Sequence, residues 1–190
     1  MVFSLINKLV DGVKGGVKGA LEGVSDIGSA IVSSVKDAAV NTLKGVGDVA
    51  SQTLNSAASI VKGAVGGVAD VGEATVSAVR KVVRGTIEGV MESGGKQDEA
   101  VRGAVGQALH SAKDLGLNVA DTAVEAVKGS VGAVKQVGGD TADATKSAVM
   151  AALNAAKDIG GETYEAVAGS LSEGVEGAKD IVDAARGKNE

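Results

Sequence analysis

The sequence predicts an all-α protein built from very long amphipathic helices, elongated rather than a compact globule. Three observations carry that prediction. Apolar residues recur every eleven positions over nearly the whole chain. Among 190 residues there are 29 glycines and no proline, which does not suit turn-rich β architecture. Aromatic residues make up 1%, Phe3 and Tyr164, so burial has to come from Val, Ala and a few Leu and Ile.

The repeat is read directly from the numbering. One series runs Val13, Val24, Val35, Val46, Ala57, Val68, Val79, Val90 and continues to Val167 and Ala178. A second runs Leu21, Val32, Leu43, Leu54, Val65, Val76, Ile87, and a third Ile27, Ala38, Val49, Ile60, Val71, Val82. Ala112-Lys113-Asp114-Leu115-Gly116 returns as Ala156-Lys157-Asp158-Ile159-Gly160, and in part as Ala178-Lys179-Asp180-Ile181. Eleven residues over three turns is about 3.67 per turn, close to the α-helix and far from the period of two that a strand requires. Each residue then advances by about 98°, and the three series merge into one apolar stripe centred on the Val13 series. The stripe spans roughly 160°, wider than a two-stranded seam, and suits a flat apolar surface or a helix with several neighbours.

One flank of the stripe is small: Gly12, Gly23, Ser34, Gly45, Ser56, Gly67, Ala78, Gly89, Ala100, Ser111, Thr122, Ala133, Ala144, Ala155, Ala166 and Gly177. Gly15, Gly19 and Gly23 are four apart, as are Gly63 and Gly67, and Gly85 and Gly89; such spacing lets helices approach closely. Lys14, Lys36, Arg80, Arg102 and their successors line the other flank, and Asp26, Asp37, Asp48 and Asp70 the polar face. Lysines at the boundary can lay their methylenes along an interface. Glycine in a helix costs about 0.5–1 kcal/mol against alanine. Helicity must therefore come from packing the stripe on something.

Taken in order, the chain begins with Val2, Phe3, Leu5, Ile6 and Leu9, its most hydrophobic cluster, beside Lys8, Lys14 and Lys18; this reads as an interfacial anchor or a hydrophobic helix end. The first arm is 1–93. The polar stretch 94–99, opening with Gly94 and Gly95, reads as a hinge, giving a helical hairpin or a flexible point in one long helix. The second arm is 100–187, richer in Ala, with further bends at Gly138-Gly139 and Gly160-Gly161, and 188–190 is a tail. Residues 1–95 have net charge 0 and residues 96–190 net −5.

Catalytic chemistry is not expected. Cysteine is absent, the single His110 falls on the polar face, and carboxylates eleven apart lie about 16 Å apart along a helix, too far to share a metal. No phosphate-binding loop or dinucleotide fingerprint occurs, so no cofactor and no small-molecule substrate is expected. Net charge −5 without a basic cluster excludes nucleic acid as a partner. Neither a signal peptide nor a transmembrane segment is evident, which points to an intracellular protein, peripheral to a membrane or lipid body.

Asp11-Gly12-Val13, Glu22-Gly23-Val24, Lys44-Gly45-Val46 and Glu88-Gly89-Val90 share one register. This pattern resembles the undecapeptides of synucleins and perilipin-type lipid-droplet proteins, and more distantly late-embryogenesis-abundant proteins. The first resemblance implies a chain that becomes helical on lipid. The expected function is a non-enzymatic amphipathic-helix protein that coats a lipid surface through the Val/Ala/Leu stripe. The alternatives are a structural helix assembly (bundle, tube or filament), whose partner is a further copy of itself, and a stress or desiccation protectant.

Overall fold

The computed structural model of the chain describes residues 2–45 and 48–187. The described residues form nine α-helices and no strand: α1 Val2–Leu21, α2 Ile27–Leu43, α3 Val49–Asp70, α4 Val76–Glu92, α5 Gln97–Asp114, α6 Val119–Val137, α7 Thr141–Ile159, α8 Gly161–Gly174 and α9 Ala178–Ala185. The helices run from 8 to 22 residues, so the very long helices predicted by the unbroken repeat are not what forms. Each helix packs on the helix two places along the chain. Thus α1, α3, α5, α7 and α9 stack in one layer, α2, α4, α6 and α8 in the other, and successive helices bridge the two. The result is a helical-repeat array with one continuous core drawn from all nine helices.

The turns explain how the eleven-residue frame survives these breaks. Gly72, Gly94, Gly116 and Gly138, spaced 22 apart, all have positive φ. At each, the glycine N–H donates three residues back, and the next N–H donates five residues back, to the carbonyls of Val68, Val90, Ala112 and Val134. This is the Schellman helix ending, which favours glycine because a Cβ is strained there. Those four carbonyls belong to the central Val13 series. A helix plus its turn thus occupies two undecapeptides, and the chain breaks every 22 residues without losing phase. Gly94, expected as the central hinge, ends α4 with φ +92°, and Gly95 donates to Val90. It is one turn among several, and α3 packs on α5 and α4 on α6 across it.

Starts are set by side-chain caps. Asp26 accepts from the Ser29 N–H, Asp48 from Ser51, Thr75 from Ala78, Asn118 from Asp121, and Asp140 from Ala142 and Asp143. Asp26 and Asp48, which the eleven-residue frame places on the polar face, instead begin helices.

Stacked helices meet backbone to backbone at glycine. A Cβ added to Gly63 of α3 would lie 2.5 Å from the Val10 carbonyl oxygen of α1, and one on Gly85 of α4 would lie 2.5 Å from the Val32 oxygen of α2. Gly103 of α5 fits the same way against the Leu54 carbonyl of α3. Gly132 of α6, by contrast, has nothing within 4 Å. Replacing Gly85 by Ala is therefore expected to cost about 1–3 kcal/mol through overpacking against backbone that cannot yield. Gly132→Ala should gain about 0.5–1 kcal/mol from helix propensity. Urea unfolding of the two variants beside the parent chain tests the pair.

Candidate interaction surface

The stripe predicted from the repeat is, in the main, the core. Of its central series, Val13, Val35, Val68, Val79 and Val90 are buried, as are Val101, Ala112, Ala123, Val134, Ala156, Val167 and Ala178 further along. Val24 is 38% exposed because it follows Gly23 in the turn after α1. Val46 lies outside the described residues. In the second series Leu21, Leu43, Val65 and Ile87 are buried, and Val32 and Val76 half-buried. Leu54 is 37% exposed, at the edge where its own carbonyl meets Gly103. In the anchor, Ile6 and Leu9 are half-buried on α1. The side chains of Val2, Phe3 and Leu5 lie outside what the structure describes, as does the tail 188–190. The small flank is buried at every step from Ser56 to Ala155.

The charged flank links stacked helices. Lys14 of α1 pairs with Asp70 of α3 at 3.1 Å, Lys36 of α2 with Glu92 of α4 at 2.6 Å, and Arg80 of α4 with Glu125 of α6 at 2.8 Å. The Lys14 methylenes lie over Gly66, as a boundary lysine should. These pairs are partly solvated, so each contributes about 0–1 kcal/mol and fixes register more than stability. Glu88 is 5% exposed and is held by the Arg84 guanidinium at 2.8 Å. Between α5 and α7, Ser147 Oγ donates to Asp98 Oδ1 at 2.6 Å. The Gln97 amide brackets the Asp140 backbone, donating to its carbonyl at 2.8 Å and accepting from its N–H at 3.0 Å.

No three His, Cys, Asp or Glu residues gather at metal-binding distance among the described residues. His110 is half-buried on α5. Thr86 carries a buried hydroxyl without a hydrogen-bond partner in the middle of α4. It sits among the apolar residues Val82, Val83, Ile87 and Val90. An open groove of about 540 Å³ lies at the C-terminal end between α7, α8 and α9, lined by Met150, Leu153, Asn154 and Tyr164. Among the described residues, no helix is long and apolar enough to cross a membrane.

Two further residues were legible but not read as such: Asp26 and Asp48 each precede a serine by three positions, the spacing of an N-cap. Hydrogen bonds from the Ser29 and Ser51 side chains and N–H groups hold both carboxyls below their ordinary range. The Glu92 carboxylate holds the Lys36 ammonium above its ordinary range. Depressed carboxyls contribute stability at pH above 3.8, which is lost as pH falls through their folded values. A raised lysine contributes below 10.5 and loses its contribution as pH rises through its folded value. Unfolding midpoints across the pH range are therefore expected to fall at both extremes. Asp26→Asn with Asp48→Asn should flatten the acid limb, and Lys36→Met the alkaline limb. Thr86→Val, which removes the orphan hydroxyl, should stabilise the fold by about 1 kcal/mol, read from the urea midpoint.

No protein-family model matches the chain, and no curated protein matches it in sequence. Among solved structures it is similar to the crystal structure of the de novo designed helical repeat protein DHR7, with a TM-score of 0.53 and 22% identity over 95% of this chain and 96% of that one. That likeness establishes the fold: the chain is an all-α helical-repeat protein.

Proposed function

We propose that the chain is a non-enzymatic structural protein, a helical-repeat array whose Val/Ala/Leu stripe serves to pack its own helices and whose partner is a further copy of itself. The observation that carries this reading is the burial of most of the central series between Val13 and Ala178, Val24 and Thr145 being the described exceptions. A stripe already covered has little apolar area left to place on a lipid surface, and apolar area is what drives such binding.

The lipid-surface reading keeps one specific support. Ile6, Leu9 and Val10 of α1 are only half-covered, at an end of the array, next to Lys8, Lys14 and Lys18. On that reading α1 swings onto an anionic surface, and the protein is intracellular and peripheral to a membrane or lipid body.

Far-ultraviolet circular dichroism of dilute protein, with and without small anionic vesicles, separates the two. The structural reading expects full helicity in buffer and no change on adding vesicles. A coil that becomes helical on vesicles, and loses that response when Val2, Phe3, Leu5 and Ile6 are replaced by Ser, would overturn it in favour of lipid. Coil in both conditions leaves the protectant.

A further inference from the structure

Residues 17–20 and 61–64 are the same tetrapeptide, Val-Lys-Gly-Ala, 44 positions apart, and both lie on helices of the same layer. In α3 the second copy is half of an interface: Gly63 and Ala64 are buried, with Gly63 against the Val10 backbone and Val13 of α1. In α1 Val17 and Lys18 of the first copy meet Gly67 of α3, but its Gly-Ala half has no such neighbour. Gly19 and Ala20 are exposed, and Gly12, Gly15 and Gly19 have nothing within 4 Å. The flank series that is buried without exception from Ser56 to Ala155 is likewise exposed at Gly12, Gly23 and Gly45. So α1 carries the receiving half of the stacking interface that α3 uses, and among the described residues nothing fills it.

At the opposite end of the same layer the described residues cover α7 only in part. The last helix there, α9, has 8 residues where α7 beneath it has 19. Where α9 stops at Ala185, Met150, Leu153 and Tyr164 line an open groove, and Met150 is 36% exposed. Repeat arrays that stay single close their ends with polar helices. Charge is also complementary: α1 has three lysines and one aspartate, net +2, whereas 141–186, the whole α7–α9 end, has eight acidic and four basic residues, net −4, with Lys157, Glu165 and Arg186 at the groove itself.

We propose that a second copy of this chain docks its α1 face, through Gly12, Gly15 and Gly19, on the α7–α9 end of the first, so that copies add head to tail. Such an interface uses two different surfaces and leaves one of each free, so it propagates rather than closing as a dimer. The inference rests on the structural-array reading and names its partner.

The chain has no cysteine, which makes cross-linking a clean test. Gly19→Cys and Met150→Cys variants, mixed and oxidised, are expected to form a disulfide between the two variants and none when either is oxidised alone. In parallel, sedimentation of the parent protein should show mass rising with concentration and falling with added salt, because the end charges are screened. Gly15→Leu with Gly19→Leu points into open space, so helicity should be kept while the mass drops to that of one chain. A Gly19–Gly19 position cross-link, mass that stays at one chain at every concentration, or assembly that persists in the double-leucine variant would each overturn the proposal. Circular dichroism on the same samples separates its failure from that of the underlying reading. A helical single chain sinks head-to-tail addition alone, and a coil sinks both.

Discussion

The structure depends on how closely one helix can lie on the helix two places before it. A chain without Trp and with a single Phe and a single Tyr has few large side chains to bridge a normal gap between helices. Glycine removes the gap. At Gly63, Gly67, Gly85 and Gly89 the neighbouring backbone occupies the space a Cβ would take. Short Val and Ala side chains on either side then meet in van der Waals contact instead of lining a void. The helix-propensity cost of these glycines is offset by packing that no larger residue would permit.

The same residue type does a second task at the turns, and the two tasks are phased together. A helix that ends on a left-handed glycine every 22 residues returns its stripe to the same orientation at the next helix start. The carbonyls that close the turns, those of Val68, Val90, Ala112 and Val134, sit on residues whose side chains are themselves core. Turn geometry and core register are thereby tied to the same positions. A one-residue insertion within a helix would displace the stripe by about 100° and the notch glycines with it.

Much of this was legible, and what was missed has physical reasons. Helix, the stripe and its centre follow from a period near 3.6, and the small flank follows as a close-approach surface. The breaks were harder. The triplet Asp-apolar-Gly begins α2 at Asp26 but ends α3, α5 and α7 at Asp70, Asp114 and Asp158. An aspartate accepts N–H groups at a helix start and is tolerated on the solvated last turn, so the local letters do not say which end they mark. The unbroken eleven-residue phase argued for continuity, whereas the constant 22-residue spacing of Gly94, Gly116, Gly138 and Gly160 was the signal for equal helices. Gly-Gly pairs stand at three of those four positions, and they suggest one central hinge at Gly94-Gly95 and two further bends rather than one repeated turn. What covers the stripe was not legible at all, because an apolar face has the same periodicity whether it rests on lipid or on another helix.

The difference between the two arms has a packing explanation as well. Position by position at 22-residue steps, the notch reads Gly63 and Gly67, Gly85 and Gly89, then Gln107 and Ser111, Gly129 and Ala133, and lastly Ala151 and Ala155. The notch is glycine at both positions in α3 and α4 and alanine at both in α7, and so becomes shallower, while the stripe shifts from Val, Leu and Ile toward Ala. An interface has a fixed volume to fill at close-packed density, so a deeper notch must accept a larger side chain and a shallower one a smaller. Where Gly67 takes the Val17 side chain, Ala151 and Ala155 lie in a helix whose other buried residues include Ala144, Ala148, Ala152 and Ala156. Alanine also forms helix better than glycine. Close backbone approach nevertheless continues into the second arm, at Gly103 against the Leu54 carbonyl and Gly129 against the Arg80 carbonyl, and gives way to alanine only at Ala151 and Ala155. In α1 the small residues Gly12, Gly15 and Gly19 meet nothing within 4 Å among the described residues, so there the cost of glycine in a helix is not offset by close packing.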